Sequence, residues 1–250
     1  MKFDPNSRAL PKRSELPAIP GAPDGAAWFW GPNDEWDGFR HVGLKFNNDI
    51  IFYNGELTMD EVPNAKYGGM QAWAEHGIAG RGVLIDYWDY AGKSYDPITT
   101  HRIPLKDVQA CAKAQGVEFQ YGDLLLIRSG FVDHYDRLDE KGRKQLGTLQ
   151  IPDHTFVGVE QTEEMLDFLH DNYFSAVIGD APAFEAWPRA EFNLHQYLLP
   201  RWGVPIGEMW NLERLAETCK RKKQYTFFIT SAPANVPGGI GSHPNAVAIF

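Results

Sequence analysis

Cysteine and long apolar runs are both scarce in this sequence, and each scarcity excludes a class of protein. Two cysteines in 250 residues are too few for a disulfide scaffold and are typical of a reducing compartment, so we expect a cytoplasmic protein. No apolar run approaches the roughly 18 residues of a membrane-spanning helix. Residues 1–20 mix charges with prolines and are not expected to act as a secretion signal. The sequence therefore predicts no membrane partner.

Positive charge is scarce as well. Lys and Arg number 24 against 33 Asp and Glu, which gives a formal net charge of −9, and the longest basic run is residues 220–223. Because neutralising a phosphate backbone requires a basic face, we predict no nucleic-acid partner. Apolar residues make up 43% and charged residues 23%, as in a globular chain that can bury its own core.

Motifs for covalent and nucleotide chemistry are absent. The sequence has no G-x-S-x-G turn and no Walker-type loop, and the glycines of residues 238–241 do not follow a strand and open a helix. Cys219 and Cys111 fall on apolar faces of predicted helices, which favours core packing over reactivity. Histidines and carboxylates are therefore the remaining candidates for functional residues.

The apolar pattern predicts an α/β (α+β) fold with one mixed β-sheet and flanking helices. Contiguous apolar runs, typical of buried strands, occupy residues 82–87, 123–129, 174–178, 225–230 and 246–250. Helical spacing marks residues 70–76, 105–112, 162–169 and 212–219. We expect Thr162 to cap the third of these helices and Gly77 to end the first. Proline-rich residues 1–25 are predicted to form an extended arm, and residues 26–250 a single domain.

Metal-ligating side chains form two groups that are far apart in the chain. Glu35, Asp37 and His41 lie close together near the N-terminus, and His195 lies 13 positions before Glu208. Zinc and manganese sites usually combine imidazoles and carboxylates from distant segments in this way. The same residue types also occur as charged loops and as ordinary core or surface histidines, so the residues by themselves leave both interpretations open.

The other histidines have structural interpretations. We expect His170 on a helix surface, and His76 in the last turn of a helix, where it complements the helix dipole. Neighbouring turn and loop residues favour solvated side chains for His101, His134, His154 and His243.

Six short motifs occur in a specific order. They are residues 35–41 (EWDGFRH), 52–55 (FYNG), 80–87 (GRGVLIDY), 122–130 (GDLLLIRSG), 179–182 (GDAP) and 236–239 (VPGG). With these motifs the chain resembles the cyclase superfamily, which is the group of kynurenine formamidases and isatin hydrolases. Within that group it looks like the fungal-type branch. The likeness runs from about residue 33 to residue 250 and implies the swivelling β/β/α type of fold.

The resemblance also implies a site. In that family the motif H-x-G-T-H-x-D-x-x-x-H supplies metal ligands and an acid/base, and its aspartate and last histidine fall on Asp37 and His41. The family's later histidine and glutamate correspond to His195 and Glu208. Asp37, His195 and Glu208 are thereby implied as ligands of Zn²⁺ or Mn²⁺, and His41 as a proton shuttle.

The chain departs from the motif at two imidazole positions. Gly31 and Glu35 stand where the family has histidines, and Glu35 still offers an oxygen as a ligand. Residues 28–31 also run almost directly into the motif, whereas family members carry a long segment there. This shortening implies the loss of strands and of substrate contacts.

The implied function is metal-dependent hydrolysis of an amide, formamide or lactone bond. The resemblance implies a small aromatic substrate, an arylformamidase-like role in tryptophan catabolism, and a homo-oligomer. Aromatic side chains such as Trp36 are expected to line the pocket, and Arg40 either anchors a substrate carboxylate or pairs with a neighbouring acid. The alternative is a catalytically impaired protein of this fold that binds a small molecule. The two missing histidines favour that alternative, and the four retained site residues favour the hydrolase.

Overall fold

The computed structural model describes residues 12–15, 36–55, 57–62, 65, 68–150 and 153–250. Apart from residues 12–15, the arm predicted over residues 1–25 lies outside the described residues, and so does Glu35.

The strands are short, and most of them alternate with helices along the chain. The strands are β1 Leu44–Phe46, β2 Asp49–Ile51, β3 Ile78–Ile85, β4 Arg102–Ile103, β5 Leu124–Ile127, β6 Gly158–Val159, β7 Ala176–Gly179, β8 Ile206–Gly207, β9 Thr226–Ser231 and β10 Ala246–Ile249. The α-helices are α1 Gln71–His76, α2 Tyr87–Tyr90, α3 Leu105–Ala114, α4 Phe131–Arg137, α5 Glu140–Gly147, α6 Glu163–Asp171, α7 His195–Tyr197 and α8 Glu213–Lys222. A π-helical turn, Leu198–Trp202, follows α7 directly.

A six-stranded mixed sheet in the order β10-β9-β3-β5-β7-β8 organises the domain. Strands β3, β5, β7 and β8 are parallel, and β9 and β10 are antiparallel to their neighbours. One face packs against α3 and α6 in an apolar cluster that includes Val108 and Leu166. The other face packs against α1 and α8 in a cluster that includes Trp73 and Ala216. The predicted α/β class with one mixed sheet is confirmed.

The local signals in the sequence match the observed element ends. The Thr162 side chain accepts a hydrogen bond from the main-chain N–H of Met165 and caps α6, as predicted. Gly77 ends α1 with a φ of 68°, which a glycine adopts without strain. Cys111 and Cys219 are both free and buried, as predicted from their apolar helix faces.

The predictions about burial are wrong for strand β10 and for His170. Strand β10 exists, but Val247 and Ile249 are 57% and 53% exposed, because the strand is the outermost one of the sheet. His170 is only 2% exposed, because the buried face of α6 extends to the last turn of the helix. In both cases the sequence pattern identified the element correctly but not its surroundings.

The carboxyl ends of the parallel strands meet at one edge of the sheet, which is where open α/β sheets place their sites. Asp180 follows β7 and is completely buried. Its carboxylate accepts hydrogen bonds from the main-chain N–H and the hydroxyl of Ser129, both at 2.6 Å, and from the N–H of Gly130 at 2.8 Å. These bonds tie the end of β7 to the end of β5.

Within the described part of the chain, no helix has the length and apolar character needed to cross a membrane.

Replacing Asp180 with alanine tests the importance of this tie. Asp180→Ala leaves three donors without their carboxylate, and a buried unsatisfied donor costs about 1–3 kcal/mol, so we expect a loss of about 3 kcal/mol in the free energy of unfolding. Urea denaturation measures it. Glu164→Ala, at an exposed position on α6, serves as the control and should change stability by less than about 0.5 kcal/mol. Equal losses in the two variants would contradict the assigned role of Asp180.

Candidate metal centre

The segment that carries Asp37 is tied to the edge strand β8 and to the loop between β9 and β10. The N–H of Asp37 donates to the carbonyl of Ile206 at 3.3 Å, and the N–H of Gly38 donates to the carbonyl of Ile240 at 2.8 Å. Asp37 also forms an antiparallel bridge with Gly241. Since Glu208 immediately follows β8, the two distant acidic segments meet at this edge of the sheet.

His195 begins α7, and carboxylates contact both nitrogens of its imidazole ring. Nε2 lies 2.9 Å from Oε1 of Glu208, and Nδ1 lies 2.7 Å from Oε2 of Glu185. The main-chain N–H of His195 donates to Oδ1 of Asn193 at 2.9 Å, which fixes the start of the helix.

One ligand atom each from Asp37, His41 and His195 lies within 4.8 Å of the other two. Glu208 joins this group through its hydrogen bond to His195. The ring centroids of His41 and His195 are 6.1 Å apart, and His41 is exposed. The structure thus brings together four of the residues singled out in the sequence. Glu35, the fifth, lies outside the described residues, so its role as a ligand stays a prediction.

Burial and charge shift the ionisation of all three residues. Burial, together with the charge of Glu208, raises the pKa of Asp37 to about 7, although His195 opposes this shift. His41 is exposed at one side, but desolvation of its ring by the surrounding protein, together with the nearby His195, lowers its pKa against the opposing effect of Glu208. Burial alone would lower the pKa of His195, but Glu185 and Glu208 outweigh it and hold that pKa well above its ordinary value.

The residues present fit a divalent cation. Oδ2 of Asp37 is buried and has no hydrogen-bond partner, which is costly for a carboxylate oxygen unless a cation is bound nearby. Oxygen and imidazole nitrogen donors are the ligands that Zn²⁺ and Mn²⁺ accept in mixed sites. The donor set suits either metal.

A cleft of about 440 Å³ opens beside this group, and His41, His195 and Glu208 lie in its wall. Phe156 and Trp187 also line the cleft, with ring planes inclined by only 19° and centroids 6.3 Å apart. His154, expected to be solvated, is instead half-buried in the same wall, where its Nε2 lies 3.0 Å from the carbonyl oxygen of Leu149.

Trp36 and Arg40, the two residues suggested for substrate contact, lie in the packing around the site. Trp36 is 3% exposed and packs against Trp73 and Trp210, with ring centroids 5.8 and 4.9 Å away. Arg40 is buried, and its guanidinium donates to the main-chain carbonyls of Ala65 at 3.0 Å and of Gly238 at 3.4 Å. These contacts hold loops in place, and the two roles considered for Arg40 in the sequence stay predictions.

Sequence reasoning missed Glu185, whose carboxylate is 1% exposed and contacts His195 directly. No spacing rule connects the two residues. The one available signal was a single acid inside the apolar stretch 181–187, where a buried carboxylate requires a partner.

The raised pKa of Asp37 predicts how the stability of the metal-free protein depends on pH. The folded state holds the Asp37 proton more tightly than the unfolded state, so its contribution is present at low pH and is lost as the pH rises from about 4 to about 7. We therefore expect Asp37→Asn to increase the free energy of unfolding, and to do so more at pH 8 than at pH 5. Urea denaturation in the presence of a chelator measures this difference, with Asp60→Asn at an exposed position as the control. The same change at both pH values would contradict the prediction.

Comparisons with known proteins agree with this geometry. The Cyclase family model, described as "Putative cyclase", matches residues 33–186, which is more than half of the chain. No curated protein matches the chain. A solved structure described as that of a novel cyclase shares 26% identity over 86% of this chain and 67% of its own, with a TM-score of 0.72.

Two isatin hydrolases share the fold at lower identity. Isatin hydrolase A from Labrenzia aggregata is 14% identical over 73% of this chain, with a TM-score of 0.53, and the enzyme of the same name from Ralstonia solanacearum is 16% identical over 75%, also with a TM-score of 0.53. This chain covers 65% and 66% of the lengths of those two proteins, slightly less than two thirds. On the family match and the shared fold, the chain belongs to the Cyclase family.

Proposed function

We propose that this protein is a metal-dependent hydrolase that cleaves an amide, formamide or lactone bond of a small aromatic substrate, in the manner of an arylformamidase. The observation that carries the proposal is the group of Asp37, His41, His195 and Glu208, of which His41, His195 and Glu208 lie in the wall of a cleft that has an aromatic side. The volume of the cleft lies within the range of about 300–1,000 Å³ that is usual for small-molecule sites. The hydrolases with the same fold act on isatin according to their names, and one was solved with benzyl benzoate bound.

Each residue has a distinct part in this proposal. Asp37, His195 and Glu208 hold the divalent ion, which when bound activates water and polarises a carbonyl oxygen. His41 faces the cleft with a lowered pKa, so at neutral pH its imidazole is uncharged and can accept a proton from water and return it to the leaving group. Phe156 and Trp187 offer ring faces on which an aromatic substrate can stack.

A second candidate function is small-molecule binding without turnover. Glu35 and Gly31 stand where the family motif has two histidines, so the site has fewer imidazole ligands than that motif provides. A carboxylate-rich site with weak metal affinity keeps the cleft and its aromatic wall but lacks a stable source of activated water.

Reconstitution with metal separates the two candidates. The purified protein is stripped with a chelator, reloaded with Zn²⁺ or Mn²⁺, and assayed with N-formylkynurenine and with isatin, while elemental analysis reports bound metal. We expect metal-dependent hydrolysis of at least one substrate. His41→Ala should lower kcat by about 10²–10⁴-fold with the metal content unchanged, whereas His243→Ala, at an exposed position, should change neither. A loaded protein that binds isatin but converts neither compound would favour the binding function.

We also propose that the chain self-associates. Phe228 on β9 and Ile249 on β10 are paired across the two outer strands, and both side chains are exposed. Neighbouring exposed apolar side chains of this kind mark interaction surfaces. Light scattering at micromolar concentration should give a mass above 28.2 kDa, and Ile249→Lys should lower it. Met59→Lys, at an exposed apolar position outside the six-stranded sheet, should leave the mass unchanged. A monomeric wild-type protein would contradict the proposal.

A further inference from the structure

We infer that Glu185 is a positioning residue, which determines the ring nitrogen that His195 presents to the metal centre, and that Gly158 allows the main chain of Glu185 to pack closely against β6. This inference rests on the proposed metal-dependent function. It adds two residues outside the implied ligand set.

The contacts of Glu185 assign the ring proton of His195. Oε2 of Glu185 lies 2.7 Å from Nδ1 of His195, and Oε1 accepts from the main-chain N–H of the same residue at 3.3 Å. An ionised carboxylate only accepts hydrogen bonds, so Nδ1 carries a proton. Nε2 faces Glu208 at 2.9 Å, and because Glu208 is itself an implied metal ligand, Nε2 is the nitrogen at which a metal would replace the proton. Carboxylate–histidine pairs of this kind orient the imidazole and increase its basicity as a ligand.

The main chain around Glu185 is fixed on strand β6. The N–H of Val159 donates to the carbonyl of Phe184, and the N–H of Ala186 donates to the carbonyl of Val159, both at 3.0 Å. The side chain of Gln161 donates to the carbonyl of Ala186 at 2.8 Å. Because hydrogen bonds secure the main chain on both sides of Glu185, its carboxylate has little freedom to move away from His195.

Gly158 allows this close approach. A Cβ atom at position 158 would lie 2.3 Å from the carbonyl carbon of Glu185 and 2.4 Å from the main-chain nitrogen of Ala186, closer than real Cβ contacts. Any other residue at position 158 must therefore push residues 185 and 186 away from β6. The side chain that reaches His195 would move with them.

Glu185→Gln tests the inference with almost no change in size. In a glutamine amide an NH₂ group replaces one of the two carboxylate oxygens, so in the position of Glu185 one of the two N–H groups of His195 faces a donor instead of an acceptor. We expect the zinc affinity, measured by competition with a chromophoric chelator, to fall by about 10–100-fold. In the zinc-loaded protein, the ¹H–¹⁵N NMR correlation of the His195 Nδ1 proton should be present in the wild type and shifted or lost in the variant.

Gly158→Ala provides a second variant that leaves the carboxylate in the chain. It should lower the zinc affinity and move the same NMR correlation, and it keeps the inference testable if Glu185→Gln does not fold. Its matched control is Gly147→Ala, because an added Cβ at position 147 has no atom within 4 Å. That control should behave as the wild type in both measurements.

Asp123→Asn controls for the loss of a buried carboxylate as such. Asp123 is as buried as Glu185, but it bonds Arg81 just before β5, at the opposite edge of the sheet. This control should lower the stability and leave the zinc affinity unchanged. Equal losses of affinity in Asp123→Asn and Glu185→Gln would overturn the inference.

The outcomes also separate this inference from the proposed function. A wild-type protein that binds no zinc contradicts both. A wild-type protein that binds zinc, together with a Glu185→Gln protein of the same affinity and an unchanged Nδ1 correlation, overturns the role of Glu185 and leaves the proposed hydrolase in place.

Discussion

The candidate centre depends on the hydrogen bonds that tie residues 37 and 38 to the rest of the domain. These two main-chain N–H groups donate to the carbonyls of Ile206 and Ile240. In the sequence, Ile206 precedes the last helix, α8, and Ile240 follows it. Without these hydrogen bonds, Asp37 would have no fixed position relative to Glu208, and the four side chains would remain two separate groups. Backbone hydrogen bonds suit this task because they fix position whatever the charge of the side chains nearby.

The electrostatics of the centre are those of an anionic site built around one imidazole. Two carboxylates, those of Glu185 and Glu208, are hydrogen-bonded to His195, and a third, that of Asp37, interacts with it electrostatically. Burying like charges together is unfavourable unless cations offset them. The raised pKa values of Asp37 and His195 express this imbalance, since both groups hold protons that a divalent cation would replace. The arrangement is therefore suited to bind positive charge.

The sequence predicts features that neighbouring residues determine better than it predicts contacts between distant segments. The β5 and β7 strands and the Thr162 cap follow from local patterns, because contiguous apolar residues and a capping side chain act within a few positions. The proximity of Asp37 to His195 was predicted from the family resemblance, because no local sequence rule connects segments that far apart. The contact of Glu185 with His195 and the exposure of β10 could not be predicted. The first depends on a contact with β6, and the second on the order of the strands in the sheet.

The loop that bonds to Gly38 through Ile240 also connects β9 to β10. Strand β10 has only four residues, lies at the edge of the sheet and pairs with β9 alone among the described strands. Edge elements with few buried contacts open locally at lower free energy than the core of a domain. Opening of this hairpin would free the loop and with it one of the anchors of Asp37. Release of a cation bound at the candidate centre would thereby be coupled to opening of the β9–β10 hairpin, which contributes none of the proposed ligands.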